Sequence, residues 1–246
     1  MIRRSALVHL SRFFLLASVL TLFALLCTIA AQTNRPPEIV AALSFVSTLI
    51  PVPLASPTLT PIPLSPPIAL VAGHSGSIDP GAICPDGLRE VDVTIDVARR
   101  ATSILEARGY RVEILTEFDP RLSALRRDYS PQAFLAIHAD SCVYYASGYK
   151  VARATNSAIP QEDDRFVRCL SVAYAATTQL AIHAGSVTNE MTYYHGLEEI
   201  SPQSPGAIIE LGFLGSDHEI LKGRRDLLAQ GIGDGVDSFL HGNVCQ

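Results

Sequence analysis

From residue 68 onward the chain alternates short, unbroken apolar runs with longer stretches in which apolar residues recur every three or four positions, and few folds satisfy that alternation. Ile68-Ala69-Leu70-Val71-Ala72, closed by Gly73, reads as a buried strand. From Glu90 the spacing turns helical through Val91, Ile95, Val97, Ala98, Ala101, Ile104 and Leu105, and it stops at Gly109. Tyr110 to Thr116 reads as a second strand and Ala133-Phe134-Leu135-Ala136-Ile137 as a third. Tyr149 to Ala154 is expected at a sheet edge, Asp163 to His183 as a long amphipathic helix, Ala207-Ile208-Ile209 as another buried strand, and Arg225 to Leu240 as the closing helix. The fold class is therefore α/β, a single domain with a central, mostly parallel sheet flanked by helices on both faces. Ligands of such sheets bind outside the carboxyl ends of the strands.

What precedes this domain has a different composition. Arg3, Arg4 and Arg12 come before an uncharged apolar run from Phe13 to Ala31, so residues 1–31 read as a signal anchor or a cleaved signal peptide. The positive-inside rule leaves the basic end in the cytoplasm and sends the remainder outside. Residues 32–67 are dense in proline, with Pro51, Pro53, Pro57, Pro61, Pro63, Pro66 and Pro67, and carry almost no charge. Proline fixes φ and removes the amide donor, which makes this segment an extended spacer rather than a packed element. Residues 68–246 remain as a single domain, long enough to bury a substantial core. Without the three N-terminal arginines, 16 basic residues face 24 acidic ones, a net charge of −8. That balance, with basic residues clustered only as pairs such as Arg99-Arg100, argues against a nucleic-acid partner.

Three of the expected strands end on a residue with useful chemistry, namely His74, His138 and Glu210, and Glu90 opens a helix near the same edge. Each has an ordinary explanation when taken alone. A histidine at a strand end is commonly hydrogen-bonded and structural, a glutamate in a first helical turn is favoured by the helix dipole, and Glu210 could sit in a salt bridge at the core edge. An acid inside an apolar strand needs a reason, however, and all four converge on one end of the sheet. His74, Glu90 and His138 are the ligand types of a catalytic Zn²⁺ site with a position left for water. Glu210, flanked by Ile209 and Leu211, is placed as the general base, with burial raising its pKa towards the working pH.

Four cysteines, Cys84, Cys142, Cys169 and Cys245, lie in the exported part, where disulfides persist. If His74 and His138 share a metal, the loops that follow them are neighbours, which favours Cys84–Cys142. Such a bridge would contribute roughly 3–4 kcal/mol on the chain-entropy account. Cys169 with Cys245 would tie the chain end to a helix.

Val71-Ala72-Gly73-His74-Ser75-Gly76 with Asp79-Pro80-Gly81, Gly87-Leu88-Arg89-Glu90-Val91-Asp92, Ile137-His138-Ala139-Asp140-Ser141 and Glu210-Leu211-Gly212-Phe213-Leu214 occur in order across the domain. In these four segments the chain resembles the zinc-dependent N-acetylmuramoyl-L-alanine amidases of the AmiC type (Amidase_3). The resemblance implies hydrolysis of the amide between N-acetylmuramic acid and L-alanine in peptidoglycan. It also implies zinc on His74, Glu90 and His138, and catalysis by Glu210. Peptidoglycan is then the partner, joined by the membrane if the N-terminal segment stays uncleaved. The protein is expected outside the cytoplasm, anchored or secreted to the periplasm or wall, as a monomer. Two neighbouring readings are a zinc amidohydrolase or peptidase acting on free peptides or acyl amino acids, and a wall-binding module without turnover. Three positions depart from the family's pattern: Asp140 where Asn is usual, Glu117 after Thr116 where Arg is usual, and Asp217 where Asn is common. An acid at Asp140 would disfavour an anionic substrate or serve as a partner to the metal ligands. No long insertion stands out that could cover the site, so an open cleft is expected.

Overall fold

The computed structural model describes residues 65–246, so the expectations for residues 1–31 and for the spacer up to residue 64 lie outside the described residues. Among the described residues no helix is long and apolar enough to cross a membrane. Five strands, β1 (Ile68–Ala72), β2 (Val112–Leu115), β3 (Ala133–Asp140), β4 (Lys150–Ala152) and β5 (Gly206–Phe213), form one sheet in the order β2-β1-β3-β5-β4. All neighbours are parallel except β4, which runs antiparallel to β5 at the edge. The mostly parallel sheet matches the expectation.

The helices are α1 (Glu90–Ala107), α2 (Pro160–Thr178), α3 (Asn189–Thr192), α4 (His195–Glu199), α5 (His218–Gly223) and α6 (Arg225–Leu240). Local chemistry accounts for the long ones. Glu90 and Asp92 place negative charge in the first turn of α1, and α2 begins with Pro160, whose missing amide costs nothing at a helix start. Gln179 closes α2 in the left-handed conformation.

Both faces of the sheet are covered, but unequally. Every residue of β1 is buried, and successive residues serve opposite cores. Ile68, Leu70, Leu135, Ile137 and Ile209 pack with Val97 and Leu105 of α1, Phe166 and Leu170 of α2, and Ile232 and Val236 of α6. Each such side chain contributes about 1.5–3 kcal/mol on full burial. Ala69, Val71, Phe134, Ala136 and Ile208 on the other face meet a thinner layer, Met191, Tyr194, Leu197 and Ile200 from the α3–α4 segment with Leu122 and Tyr129 from the stretch after β2. The long helices thus take one face and the short α3 and α4 the other, so helices flank both faces as expected, though unequally. The sequence carries no periodic signal for the thinner layer because α3 and α4 last about one turn each.

β3 and β5 both run further than their apolar runs suggest. His138 and Glu210 are therefore inside strands, directly paired with each other, rather than just past their ends. By the two-residue alternation both side chains lie on the thinly covered face. The register shifts after this pair, where Gly212 at φ +153 supplies a backbone that other residues rarely adopt.

Two disulfides staple the domain, Cys84–Cys142 and Cys169–Cys245, with Cα–Cα distances of 5.4 and 4.9 Å. The first joins the loop before α1 to the loop after β3, and the second ties the chain end to α2. Closing loops of 58 and 76 residues stabilises by about 4 kcal/mol each on the chain-entropy account.

Candidate metal centre

β1, α1 and β3 bring His74, Glu90 and His138 together, so that one ligand atom from each lies within 4.8 Å of the others. Glu90 is the hub. Its Oε1 accepts the Ala139 amide at 3.1 Å and faces His138 Nδ1 at 3.1 Å and His74 Nε2 at 3.3 Å, while its Oε2 accepts the Ala82 amide at 3.0 Å. Gly81 lets the loop wrap this carboxylate: a Cβ there would collide with Glu90 Oε2 and come within 2.7 Å of the His74 ring. His74 itself sits in the left-handed region at φ 62, uncommon for a residue with a Cβ.

The electrostatics are those of a nest for positive charge. Burial works against the Glu90 carboxylate, yet the hydrogen bonds and charges of His138 and His74 outweigh it and hold its pKa at about 2. The Glu90 contact raises His74 to about 8 despite partial burial. Burial pulls His138 down, but Glu90, Glu210 and Glu117 together push it above the usual histidine value. Two imidazoles and a carboxylate presenting one atom each form a donor set that fits a metal ion with a further position open to water.

Glu210 is treated in the opposite way. Its Oε2 is buried and receives no hydrogen bond, although the residue as a whole keeps some exposure. Burial raises its pKa to about 7, with Glu90 and Asp140 adding to the rise while His138 and Lys150 oppose it. The neighbours are set by the sheet, since Glu210 pairs with His138 on one side and Lys150 on the other. A carboxyl group that titrates near neutrality beside a metal site is equipped to accept and return a proton.

Sequence reasoning left Glu117 outside this cluster, and the structure brings it in. It lies two residues beyond β2, is 6% exposed, and accepts the His74 amide at 2.6 Å and the Tyr194 hydroxyl at 2.8 Å. His195 Nε2 stands 3.0 Å from its Oε1, with His195 Nδ1 held at 3.0 Å by Glu199. Burial opposes ionisation of Glu117, but His195, His138 and the donors around it prevail and bring the pKa to about 2. The strand-end logic that found His74 extends to Glu117, which also follows a strand at the carboxyl edge. Tyr194, whose ring packs edge-on to His138 at 5.4 Å, and His195 had no such signal.

The other departures have separate fates. Asp140 pairs with the buried Lys150, which also donates to the Ser186 carbonyl at 3.2 Å, and both border Glu210. Asp217 accepts from the Phe213 and Gly148 amides at 2.8 and 2.9 Å and from the Ser147 hydroxyl at 2.6 Å, so it fastens two loops. Side-chain exposures of 22% for His74, 10% for His138 and 7% for Glu90 put the approach to the centre on the His74 side.

The Amidase_3 family, described as N-acetylmuramoyl-L-alanine amidase, matches residues 68–238. The N-acetylmuramoyl-L-alanine amidase AmiC of Neisseria meningitidis serogroup B (strain ATCC BAA-335 / MC58) is 40% identical over 81 residues, covering 31% of this chain and only 19% of that protein. Among solved structures, the N-acetylmuramyl-L-alanine amidase Ami1 from Mycobacterium smegmatis superposes with a TM-score of 0.59 at 21% identity, over 73% of this chain and 99% of that one. The CwlD amidase from Clostridioides difficile, in complex with the GerS lipoprotein, gives 0.57 at 19% identity, over 73% and 100%. At these identities the two structures speak for the fold.

Proposed function

The chain belongs to the Amidase_3 family of N-acetylmuramoyl-L-alanine amidases, and on that footing we propose that it hydrolyses the amide between N-acetylmuramic acid and L-alanine in peptidoglycan, with a zinc ion held by His74, Glu90 and His138. The observation that carries this reading is the convergence of those three ligand atoms within 4.8 Å, beside an unpartnered carboxyl on the adjacent strand. Zinc is preferred because two imidazoles and a carboxylate are the donor set of many zinc hydrolases.

When bound, the ion supplies Lewis acidity, polarising the scissile carbonyl and lowering the pKa of water. The chain's own residues do the rest. Glu210, neighbour to His138 across the sheet, takes the proton of the attacking water and gives it to the alanine nitrogen as the carbon–nitrogen bond breaks. Burial raises its pKa to about 7 in the metal-free protein, and a bound cation would draw it back towards the ionised form that accepts a proton. Glu90, fixed by the Ala82 and Ala139 amides, stays ionised throughout, and it holds both histidine rings.

A substrate of this kind lies outside the cytoplasm. The Arg-flanked apolar run of residues 1–31 supports export, and the proline-dense residues 32–67 support a spacer that holds residues 68–246 away from a membrane.

The test is digestion of purified peptidoglycan followed by mass spectrometry of the fragments, with a chelator and Glu210→Ala as controls. Release of stem peptides bearing a free alanine amino terminus is expected, and both controls should suppress it. Binding without cleavage would leave a wall-binding module. Cleavage confined to free peptides or acyl amino acids would replace the wall amidase with a related amidohydrolase.

A further inference from the structure

The two oxygens of Glu117 are divided between the metal centre and the thin layer above it. Oε2 accepts the backbone amide of His74 and lies 3.6 Å from His138 Nε2. Oε1 accepts the Tyr194 hydroxyl and lies 3.0 Å from His195 Nε2. The opposite edges of the histidine rings, His138 Nδ1 and His74 Nε2, face Glu90. His138 Nε2 is buried with no partner inside hydrogen-bond distance. A buried ring N–H requires an acceptor, and Glu117 Oε2 is a few tenths of an ångström from serving.

We propose that Glu117 is a positioning residue of the metal centre: it accepts the Nε2 proton of His138, reserving the Nδ1 lone pair for the metal, and it anchors the left-handed turn that presents His74. The inference rests on the metal-centre reading above and deepens it. One carboxylate thereby sets the tautomer of one ligand and the backbone of another. A charged acceptor behind a ligating imidazole makes the ring a stronger donor and fixes its orientation. Tyr194 and His195 occupy the second oxygen and keep the carboxylate from rotating away. The corresponding contact to His74 is weaker by comparison, since Asp79 lies 3.7 Å from His74 Nδ1 and is 70% exposed to water.

Zinc affinity of the full chain, measured by competition with a chromophoric chelator near neutral pH, tests the proposal without relying on turnover. Glu117→Gln is expected to weaken zinc binding about 10–100-fold, the range typical of an acceptor behind a ligand. Asp79→Asn, at a screened and exposed site, is expected to change it less than about threefold. An unchanged affinity in Glu117→Gln overturns the proposal, whereas an unmutated chain that binds no zinc overturns the metal-centre reading itself. Tautomers are read on the unmutated, zinc-loaded protein by long-range ¹H–¹⁵N correlation, so the proposal survives or falls even where the Gln variant misfolds. His138 protonated at Nε2 is the expected result; protonation at Nδ1 overturns it.

Discussion

Side by side at one end of the sheet, Glu90 and Glu210 are carboxylates under opposite treatment. Glu90 begins a helix, receives two backbone amides and lies between two histidines; Glu210 sits within a strand and its inner oxygen receives nothing. Burial penalises both, but it is outweighed at Glu90 and only partly offset, by His138 and Lys150, at Glu210, so one pKa falls to about 2 and the other climbs to about 7. On the proposed function, the difference suits Glu90 to the duty of a ligand, which must stay ionised, and Glu210 to that of a proton carrier, which must change state.

Removing Glu90 strikes the comparison hardest. Glu90→Ala should lower zinc affinity by at least about a thousandfold, beyond the roughly 10–100-fold expected of a residue behind a ligand, and take activity to background. Metal analysis after gel filtration reads this directly. Retained zinc would show that the two histidines suffice.

Glu210→Gln should leave zinc content intact and reduce kcat by about 10²–10⁴, the usual worth of a positioned acid–base group. Loss of metal in that variant would make Glu210 a ligand and erase the distinction between the two acids.

Without metal, the same substitution should stabilise the protein. An unfolded chain releases this proton near 4.5 and the folded one near 7, so the folded state holds the proton more tightly across that interval and loses stability as pH rises through it. Glu210→Gln is expected to be more stable than its parent by about 2–3 kcal/mol above pH 7, allowing for the residue's partial exposure, with the gain gone near pH 4. Urea titrations at the two pH values decide this, and a pH-independent difference would mean that Glu210 is not held protonated.

The smallest effect concerns Lys150, whose charge opposes the rise at Glu210. Lys150→Met should move the acidic limb of the kcat/KM profile to higher pH while leaving zinc affinity nearly unchanged. A limb that stays in place would remove Lys150 from the tuning of the base.

Much of this was legible before any coordinates. β1 and α6 coincide with their apolar patterns, and α1 starts at the glutamate that the change of period picked out. Such elements are long, or buried on both faces, and therefore write their period into the chain. α3 and α4 are too short to do so, which is why Tyr194 and His195 went unread. The acids Glu117, Asp140 and Asp217 stand out in sequence as departures of one kind. In space they part company, one entering the metal centre, one pairing with a buried lysine and one fastening loops.

The order of apolar runs and the residues that close them determined an α/β sheet, a pole at its carboxyl edge and the four side chains that gather there, because period and burial are local properties of the chain. Tertiary structure alone decided what each acid became. Ionisation depends on how many donors and charges reach a carboxylate through contacts far apart in sequence. Glu117 with His138, Tyr194 and His195, and Glu210 with His138 and Lys150 paired beside it and the acids Glu90 and Asp140 near, acquired their properties from those contacts.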